Sequence, residues 1–502
     1  LRVYGEEKNR VRLRAISSVV VLSLAPSAFA QAPQPDTGTT PPPAPETPLD
    51  SDLLKPTPDG LTADQVGKRA AQTSYAAKAS EQALEAAAAR VDAAWASFLP
   101  RLSGKASYTR LSEFAAPNLG NLQILVDSNG QPLANGANAA GGTVVNVPLT
   151  FPLVFNNYLL QASIVVPISD YFLRINQNYT AATSAQDAAR FDVATSRAKS
   201  GADGKVAFYT LLRARGAVTV AQQALDDQRT HLKDANNQFA VGNASKADVL
   251  RAETAVASAE LQVIQSKDLA DLTEKQVRVA MHAGDNEALS PGESIQGNPP
   301  PLQGNPKQLE SEALASRLEV KSIDANAESA RKQAGVQHAG YWPVISGVAD
   351  ATYANPNPRI FPQTATWFPT WDIGAQATWS PNDILTARAG GNQYEAQAAQ
   401  LEAQRGTVRD GIQIEVLQAY QKVQEADAAL ESTKRELASA TEAYRVAREL
   451  FNNGRATSTT LTDAETELTR ARLDALNASV DARIARVQLD HALGRDTKYA
   501  LQ

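Results

Sequence analysis

Residues 416–451 read VLQAYQKVQEADAALESTKRELASATEAYRVARELF, and this stretch decides the fold class. Apolar side chains recur in it at every seventh position, at Val416, Val423, Leu430, Leu437, Tyr444 and Phe451. A sustained seven-residue apolar repeat indicates α-helices that supercoil against one another. The segment from Asp383 to Phe451 contains no proline, so it predicts one helix of roughly 105 Å. A globular domain cannot bury a helix of that length, whereas a coiled assembly can.

The same unit occurs earlier in the chain. Phe239-Ala-Val-Gly242 parallels Phe451-Asn-Asn-Gly454 at an offset of 212 residues, and Ala252-Glu253-Thr254 parallels Ala464-Glu465-Thr466 at the same offset. Similarity at a fixed offset is typical of a duplicated structural unit. The predicted segments are a first repeat at 61–290, a linker at 291–306, a second repeat at 307–496 and a tail at 497–502.

Each repeat has the pattern helix, strand, loop, strand, long helix, turn, helix. The predicted strands cover about 102–110, 158–167, 345–354 and 371–380. The predicted long helices cover about 170–239 and 383–451, and the returning helices cover about 245–282 and 457–494. We expect one leading helix at about 61–98, stacked end to end with the returning helix beside the long one. The segment 110–157 is about thirty residues longer than its counterpart in the second repeat, which predicts an exposed loop.

The strand segments alternate apolar and polar residues, as Trp371 to Ser380 illustrates. Alternation of this kind fits strands with lipid on one face and water on the other, and it also fits the half-buried sheet of a soluble protein. All five tryptophans lie in or beside the strand regions, which favours membrane strands with aromatic girdles. The predicted girdle consists of Tyr108, Tyr158, Tyr353, Trp371 and Trp379.

Four strands cannot close a barrel, and open sheet edges are not tolerated in lipid. Several copies must therefore share one barrel. Two copies give eight strands, which enclose little more than their own side chains, whereas three copies give twelve strands and a lumen. The sequence thus predicts a trimer.

The N-terminal sixty residues are predicted to lie outside the repeats. Residues 1–30 combine a basic region, an apolar core and Ala28-Phe29-Ala30, the pattern of a cleaved secretory signal peptide. Residues 31–60 form a proline-rich tether. Loss of the signal peptide, with its five basic and two acidic residues, takes the net charge from −6 to −9, which disfavours nucleic-acid binding. The chain has no cysteine, so disulfides and thiol chemistry are excluded.

No catalytic or metal-binding pattern is present in the sequence. The four histidines, His231, His282, His338 and His491, are scattered without the spacing of metal ligands. There is no phosphate-binding loop and no nucleophile elbow. We therefore expect no enzyme activity, no cofactor and no metal.

Taken together, the signal peptide, the duplicated unit, the corners at Phe98-Leu-Pro-Arg-Leu102 and Tyr341-Trp-Pro-Val-Ile345, and the glycine turns at Gly242 and Gly454 resemble the TolC-type outer-membrane efflux family. The resemblance covers nearly all of residues 61–496. It implies a homotrimer in the outer membrane, with a twelve-stranded β-barrel continuous with a twelve-helix α-barrel. It also implies a periplasmic adaptor protein and an inner-membrane pump or ABC transporter as partners, in efflux or type I secretion.

The resemblance further implies that the two helix-hairpin tips contact the adaptor and close the tunnel like an iris. The matching tip residues are Val241, Gly242, Asn243, Ala244 and Ser245 in the first hairpin, and Asn453, Gly454, Arg455, Ala456 and Thr457 in the second. Asp248 and Asp463 are expected at matching positions, as acids of the pore gate. Thr460 and Ala456 depart from the family pattern, in which a second acid and a latch arginine occur. The alternative interpretation is a periplasmic adaptor or coiled-coil scaffold, which has long hairpins of its own.

Overall fold

A computed structural model describes residues 54–113, 120–133, 142–148 and 153–497 of the chain. The predicted signal peptide, the tether up to residue 53 and the tail from residue 498 lie outside the described residues. The described part is mainly helical, with two separate antiparallel sheets.

The leading segment forms two helices, α1 (Ala63–Thr73) and α2 (Tyr75–Ala96). The prediction of one unbroken helix at 61–98 is therefore wrong. Ser74 leaves the helical conformation, with φ −54° and ψ 131°, and its side chain accepts hydrogen bonds from the backbone N–H groups of Ala76 and Ala77. A serine that caps a new helix in this way competes with continuation of the old one.

Four strands form the main sheet, in the order β1-β4-β5-β6, and all neighbours are antiparallel. Their bounds are β1 (Arg101–Arg110), β4 (Asn156–Val166), β5 (Val344–Asn355) and β6 (Phe368–Thr378). β1 and β6 are the edges of this sheet. Within the described residues, neither edge has a further strand beside it.

The prediction that the long insertion of the first repeat is a plain loop is wrong. It contains a two-stranded hairpin, β2 (Asn121–Val126) and β3 (Thr143–Pro148). Leu122 pairs with Val147 and Ile124 with Val145. Cross-strand pairs of β-branched and aliphatic residues stabilise such a ladder, and this local signal was present in the sequence.

The remaining helices follow the two-repeat pattern. They are α3 (Ile168–Asp170), a π-helical turn (Tyr171–Ile175), α4 (Asn176–Ala240), α5 (Lys246–Met281), α6 (Pro306–Ser316), α7 (Leu318–His338), a 3₁₀ turn (Ala339–Tyr341), α8 (Asp383–Asn452) and α9 (Ser458–Ala492). At about 1.5 Å per residue, the 65 residues of α4 and the 70 of α8 span roughly 100 Å each.

Short helices lie in series beside each long helix. α4 packs against α2, α1 and α5 on one flank and against α7 and α9 on the other, and α8 packs against α7 and α9. The helices therefore follow the lateral order α2 with α5, then α4, then α7 with α9, then α8. The outer flanks of this layer are α5 with α2 on one side and α8 on the other.

The heptad positions form the helix–helix contacts. Val416, Val423 and Leu430 of α8 are buried, as are Leu461 and Leu468 of α9. Each such side chain contributes roughly 1.5–3 kcal/mol by leaving water. Phe239 is an exception, since it is 45% exposed at the end of α4.

None of the helices in the described ranges is both long enough and apolar enough to cross a membrane.

Candidate functional site

The first hairpin tip is a tight turn between α4 and α5. Gly242 has a φ of 83°, a conformation that a residue with a Cβ rarely adopts. Its N–H donates to the carbonyl of Phe239 over 3.0 Å, and the N–H of Asn243 donates to the carbonyl of Gln238 over 2.8 Å. These bonds satisfy carbonyls at the end of α4, so the glycine ends the helix and reverses the chain.

Ser245 and Asp248 start α5 by capping each other. The N–H of Asp248 donates to Ser245 Oγ over 3.2 Å, and the N–H of Ser245 donates to Asp248 Oδ2 over 3.0 Å. Ser245 Oγ also donates to Asp248 Oδ2 over 2.6 Å, and Arg251 Nη1 lies 2.9 Å from Asp248 Oδ1. The hydrogen bonds from Ser245, helped by Arg251, lower the pKa of Asp248.

The second hairpin tip repeats this geometry. Gly454 has a φ of 67°, and its N–H donates to the carbonyl of Phe451 over 2.9 Å. Thr457 caps α9, since its hydroxyl oxygen accepts from the N–H of Thr460 over 3.2 Å. Both tips therefore have the same turn and the same cap position.

The cap geometry corrects the expectation that Asp248 and Asp463 occupy matching positions. Asp248 is the third residue after its cap, where the second hairpin has Thr460. Asp463 is the sixth residue after Thr457, where the first hairpin has Arg251. Asp463 is exposed, whereas both carboxylate oxygens of Asp248 already have partners at the tip.

An apolar cluster joins the two hairpins just before their tips. Its buried members are Ala235, Val249, Ala252, Ala447, Phe451 and Leu461. A polar contact continues it toward the tips, since Gln238 Nε2 donates to the carbonyl of Asn452 over 2.9 Å. The tips of one chain are therefore attached to each other.

A buried polar group that was not predicted from the sequence lies between the same hairpins. His231 Nδ1 lies 2.9 Å from Glu465 Oε2, and His231 Nε2 lies 3.1 Å from Ser458 Oγ. The side chains of His231 and Glu465 are only 1% and 2% exposed. A signal was available, because Glu465 lies on the apolar stripe of Leu461 and Leu468 at helical spacing.

The main sheet has one apolar and one polar face. Exposed apolar side chains on one face are Leu102, Tyr108, Tyr158, Leu160, Ile164, Ile345, Tyr353, Trp371 and Ile373. The opposite face carries Lys105, Gln161, Ser163, Asp350, Thr352, Thr370 and Asp372. An exposed apolar sheet face of this size requires a partner such as lipid.

The predicted girdle residues lie at different heights of the sheet. Tyr108 and Tyr158 are paired at the strand ends far from the helices, with ring centroids 5.0 Å apart, and Tyr353 stacks at 4.8 Å on Trp367 beside them. Trp379 follows β6 at the helical end. Trp371 pairs with Ala351, two residues along β6 from Pro369, the partner of Tyr353, and its place in the girdle stays a prediction. The alternation pattern gave the face of Trp371 and could not give its height.

Within the described residues, no group of three or more His, Cys, Asp or Glu side chains is arranged to hold a metal ion.

Comparisons with known proteins address the identity of the chain. The family model for outer membrane efflux proteins matches residues 66–281 and 309–495. No curated protein sequence matches significantly.

Among solved structures, the outer-membrane channel OprN has a TM-score of 0.68 at 18% identity, covering 91% of this chain and 98% of its own. CusC, described as forming a transmembrane channel, has a TM-score of 0.70 at 14% identity, covering 92% and 99%. The outer membrane protein VceC from Vibrio cholerae has a TM-score of 0.65 at 18% identity, covering 86% and 96%. At these identities the likeness shows the shared fold.

The family match spans both repeats and most of the chain, and the fold is that of outer-membrane efflux channels. The protein therefore belongs to the outer membrane efflux protein family, and it acts in the outer membrane as the exit channel of an efflux system.

Proposed function

We propose that three copies of this chain form one channel, with a twelve-stranded barrel in the outer membrane and a twelve-helix tunnel in the periplasm. The observation that carries the proposal is the four-stranded sheet, which has one exposed apolar face and, within the described residues, two edges without a neighbouring strand.

The sheet edges favour three copies. The backbone groups along the free sides of β1 and β6 need hydrogen-bond partners, because lipid provides none. Pairing β6 of one copy with β1 of the next satisfies both edges. Two copies give eight strands, which leave little room inside, and three give twelve strands and an open lumen.

The flanks of the helical layer support the same assembly. α5 is apolar on its buried side, and it also has a second stripe of exposed apolar residues, Leu250, Leu261, Ile264, Leu272 and Val279. α8 has its own exposed apolar residues on the side away from its buried stripe, Ile414, Leu417, Val446 and Leu450. A helix that is apolar on two sides needs two partners, so we propose that α5 of one copy packs on α8 of the next.

The gate and the partners follow from the tips. We propose that Asp463, which is exposed near the second tip, forms a ring of three carboxylates around the threefold axis and favours cations there. Asp248 has a different role, because its hydrogen bonds with Ser245 fix the turn formed by residues 241–245. Those residues and Asn453 to Thr457 are the proposed contacts for a periplasmic adaptor, which links the channel to an inner-membrane pump or ABC transporter.

The test is the state of the mature protein. We expect it in the outer-membrane fraction, as a detergent-stable particle of three chains by light scattering, and we expect ion-conducting channels after reconstitution into planar bilayers. A water-soluble monomer without affinity for lipid vesicles would refute the proposal and favour a periplasmic adaptor or scaffold.

A further inference from the structure

The connection between β5 and β6, residues 356–367, folds back onto the sheet. Asn357 anchors it and is 1% exposed. Its Nδ2 donates to the carbonyl of Phe368 over 2.9 Å and to Thr370 Oγ1 over 3.1 Å, and its Oδ1 accepts from the N–H of Arg359 over 3.0 Å. The loop is therefore tied to β6 at the end of the sheet that lies away from the helices.

Arg359 reaches further along the same strand. Its Nη1 donates to the carbonyl of Trp371 over 3.2 Å, and its Nη2 donates to Asp372 Oδ1 over 2.5 Å. The side chains of Thr370 and Asp372 lie on the polar face, in register with Thr352 and Asp350 of β5. The start of the loop, with Asn357 and Arg359, thus lies over the polar face, whereas Trp367 at its end packs on Tyr353 of the apolar face.

The positive charge of Arg359 lies where it reduces the repulsion between two carboxylates. Asp350 and Asp372 are directly opposite each other on β5 and β6, and like charges at such positions repel. Asp350 is held by hydrogen bonds from Ser163 and from Gln161 Nε2, the latter over 3.0 Å. Asp372 has the guanidinium of Arg359. Arg359 therefore offsets one of two facing carboxylates.

We propose that residues 356–366, which include Arg359, are a strap that narrows the outer mouth of the channel, and that Arg359 sets the ion preference of that mouth. The proposal rests on the proposed function, in which the polar face lines the lumen. With the strap in place each copy presents two carboxylates and one guanidinium at this level. With Arg359 absent, the cation in contact with Asp372 is lost, Lys105 of β1 remains as a cation of the neighbouring level, and three copies form a more negative ring.

The test uses the full-length mature trimer in planar bilayers, with the reversal potential measured across a KCl gradient and the single-channel conductance measured in symmetric salt. We expect Arg359→Gln to raise the K⁺ over Cl⁻ preference several-fold and to raise the conductance, because the charge and the tether are both lost. Asp372→Asn should lower the K⁺ preference. The double variant should return the preference to near the native value while the conductance stays raised. Arg359→Lys should keep the native preference.

Thr364→Ala, an exposed position in the same loop, is the matched control and should change neither quantity. Migration of each variant as a trimer establishes that it has assembled. If Arg359→Gln trimers conduct with the native preference and conductance, the strap proposal is wrong although the channel proposal stands. If the native protein forms no channels at all, the proposed function itself fails.

Discussion

Glu465 is a polar residue buried inside the helical layer, where its side chain joins α9 to α4. It lies on a stripe of leucines in α9, and its carboxylate meets the imidazole of His231 in α4 and the amide of Gln228, whose Nε2 is 3.0 Å away. A carboxylate at 3% residue exposure is tolerated only with such partners. Because 234 residues separate His231 from Glu465, no local pattern in the sequence predicts that they are in contact.

Removing one member of this pair should destabilise the protein strongly. For Glu465→Ala we expect a loss of about 1–3 kcal/mol, because the buried ring nitrogen of His231 and the amide of Gln228 lose their hydrogen-bond partner. The measurement is the unfolding of the detergent-solubilised protein by heat or denaturant. Glu467→Ala, at an exposed position two residues along the same helix, should have little effect. Equal losses in the two variants would contradict the assignment.

His491 should make stability depend on pH at the end of α9. The hydrogen bond between His491 Nδ1 and Asp496 Oδ2, 2.7 Å long, raises the pKa of the histidine above its ordinary 6.5. A raised pKa means that the folded state binds the proton more tightly, so the stabilisation is complete below pH 6.5 and is lost as pH rises through the folded-state pKa. Melting temperatures between pH 6 and pH 9 test this, in buffers of equal ionic strength.

The control for the pH experiment is Asp496→Asn, which removes the carboxylate that holds the proton. The decline in melting temperature attributable to His491 should become smaller in this variant, and His491→Gln should remove it. A decline that is identical in the native protein and in both variants would assign the pH dependence to other groups.

At the scale of elements, the turns at the two tips depend on glycine because their backbone conformation is left-handed. Gly242 and Gly454 have positive φ values, and no part of their surroundings obstructs a Cβ closer than 4.0 Å, so the cost of a side chain is conformational and not steric. We expect Gly242→Ala or Gly454→Ala to cost about 1–2 kcal/mol each, from the left-handed conformation alone.

The matched control for the turns is Gly284→Ala. Gly284 also has open space around its Cβ position and does not have a positive φ. Its substitution should leave the melting temperature nearly unchanged, whereas the tip variants should lower it. If Gly242→Ala melted at the native temperature, the left-handed turn would be absent or adaptable in solution.

Periodicity gave most elements of this fold, because a repeat of seven or two is a local property of the chain. The heptad residues of α8 and α9 are buried, apart from Leu437 and Tyr444, which are half-buried, and the alternating segments are strands. The break at Ser74 was missed because a single serine cap was outweighed by a strongly helical composition. The β2–β3 hairpin was not predicted because the segment that contains it is longer than its counterpart in the second repeat, which suggested a loop.

At the scale of the whole molecule, the exposed apolar stripe of α5 predicts a contact between copies of the chain. Ile264 is 56% exposed in the single chain and belongs to an apolar stripe that faces away from the buried side of the helix. We expect Ile264→Glu to weaken or abolish the trimer, because a charge placed in an apolar interface loses its hydration. The mass of the solubilised particle by light scattering measures this.

A control on the same helix separates assembly from folding. Gln262→Glu adds the same charge at an exposed position beside the stripe, and the particle should remain a trimer. Circular dichroism should show native helix content for both variants. A trimer of normal stability with Ile264→Glu would mean that α5 does not form the contact between copies.

The sequence by itself determined the duplicated unit, the long supercoiled helices, the four main strands and the family, since each follows from local periodicity or from the order of short motifs. Only the tertiary structure decided that Asp248 caps a helix while Asp463 lies exposed, that His231 meets Glu465, that Trp371 pairs with Ala351, and that Arg359 folds onto Asp372. The physical reason is range: periodicity acts between residues a few positions apart, whereas these pairings depend on the register and packing of separate elements.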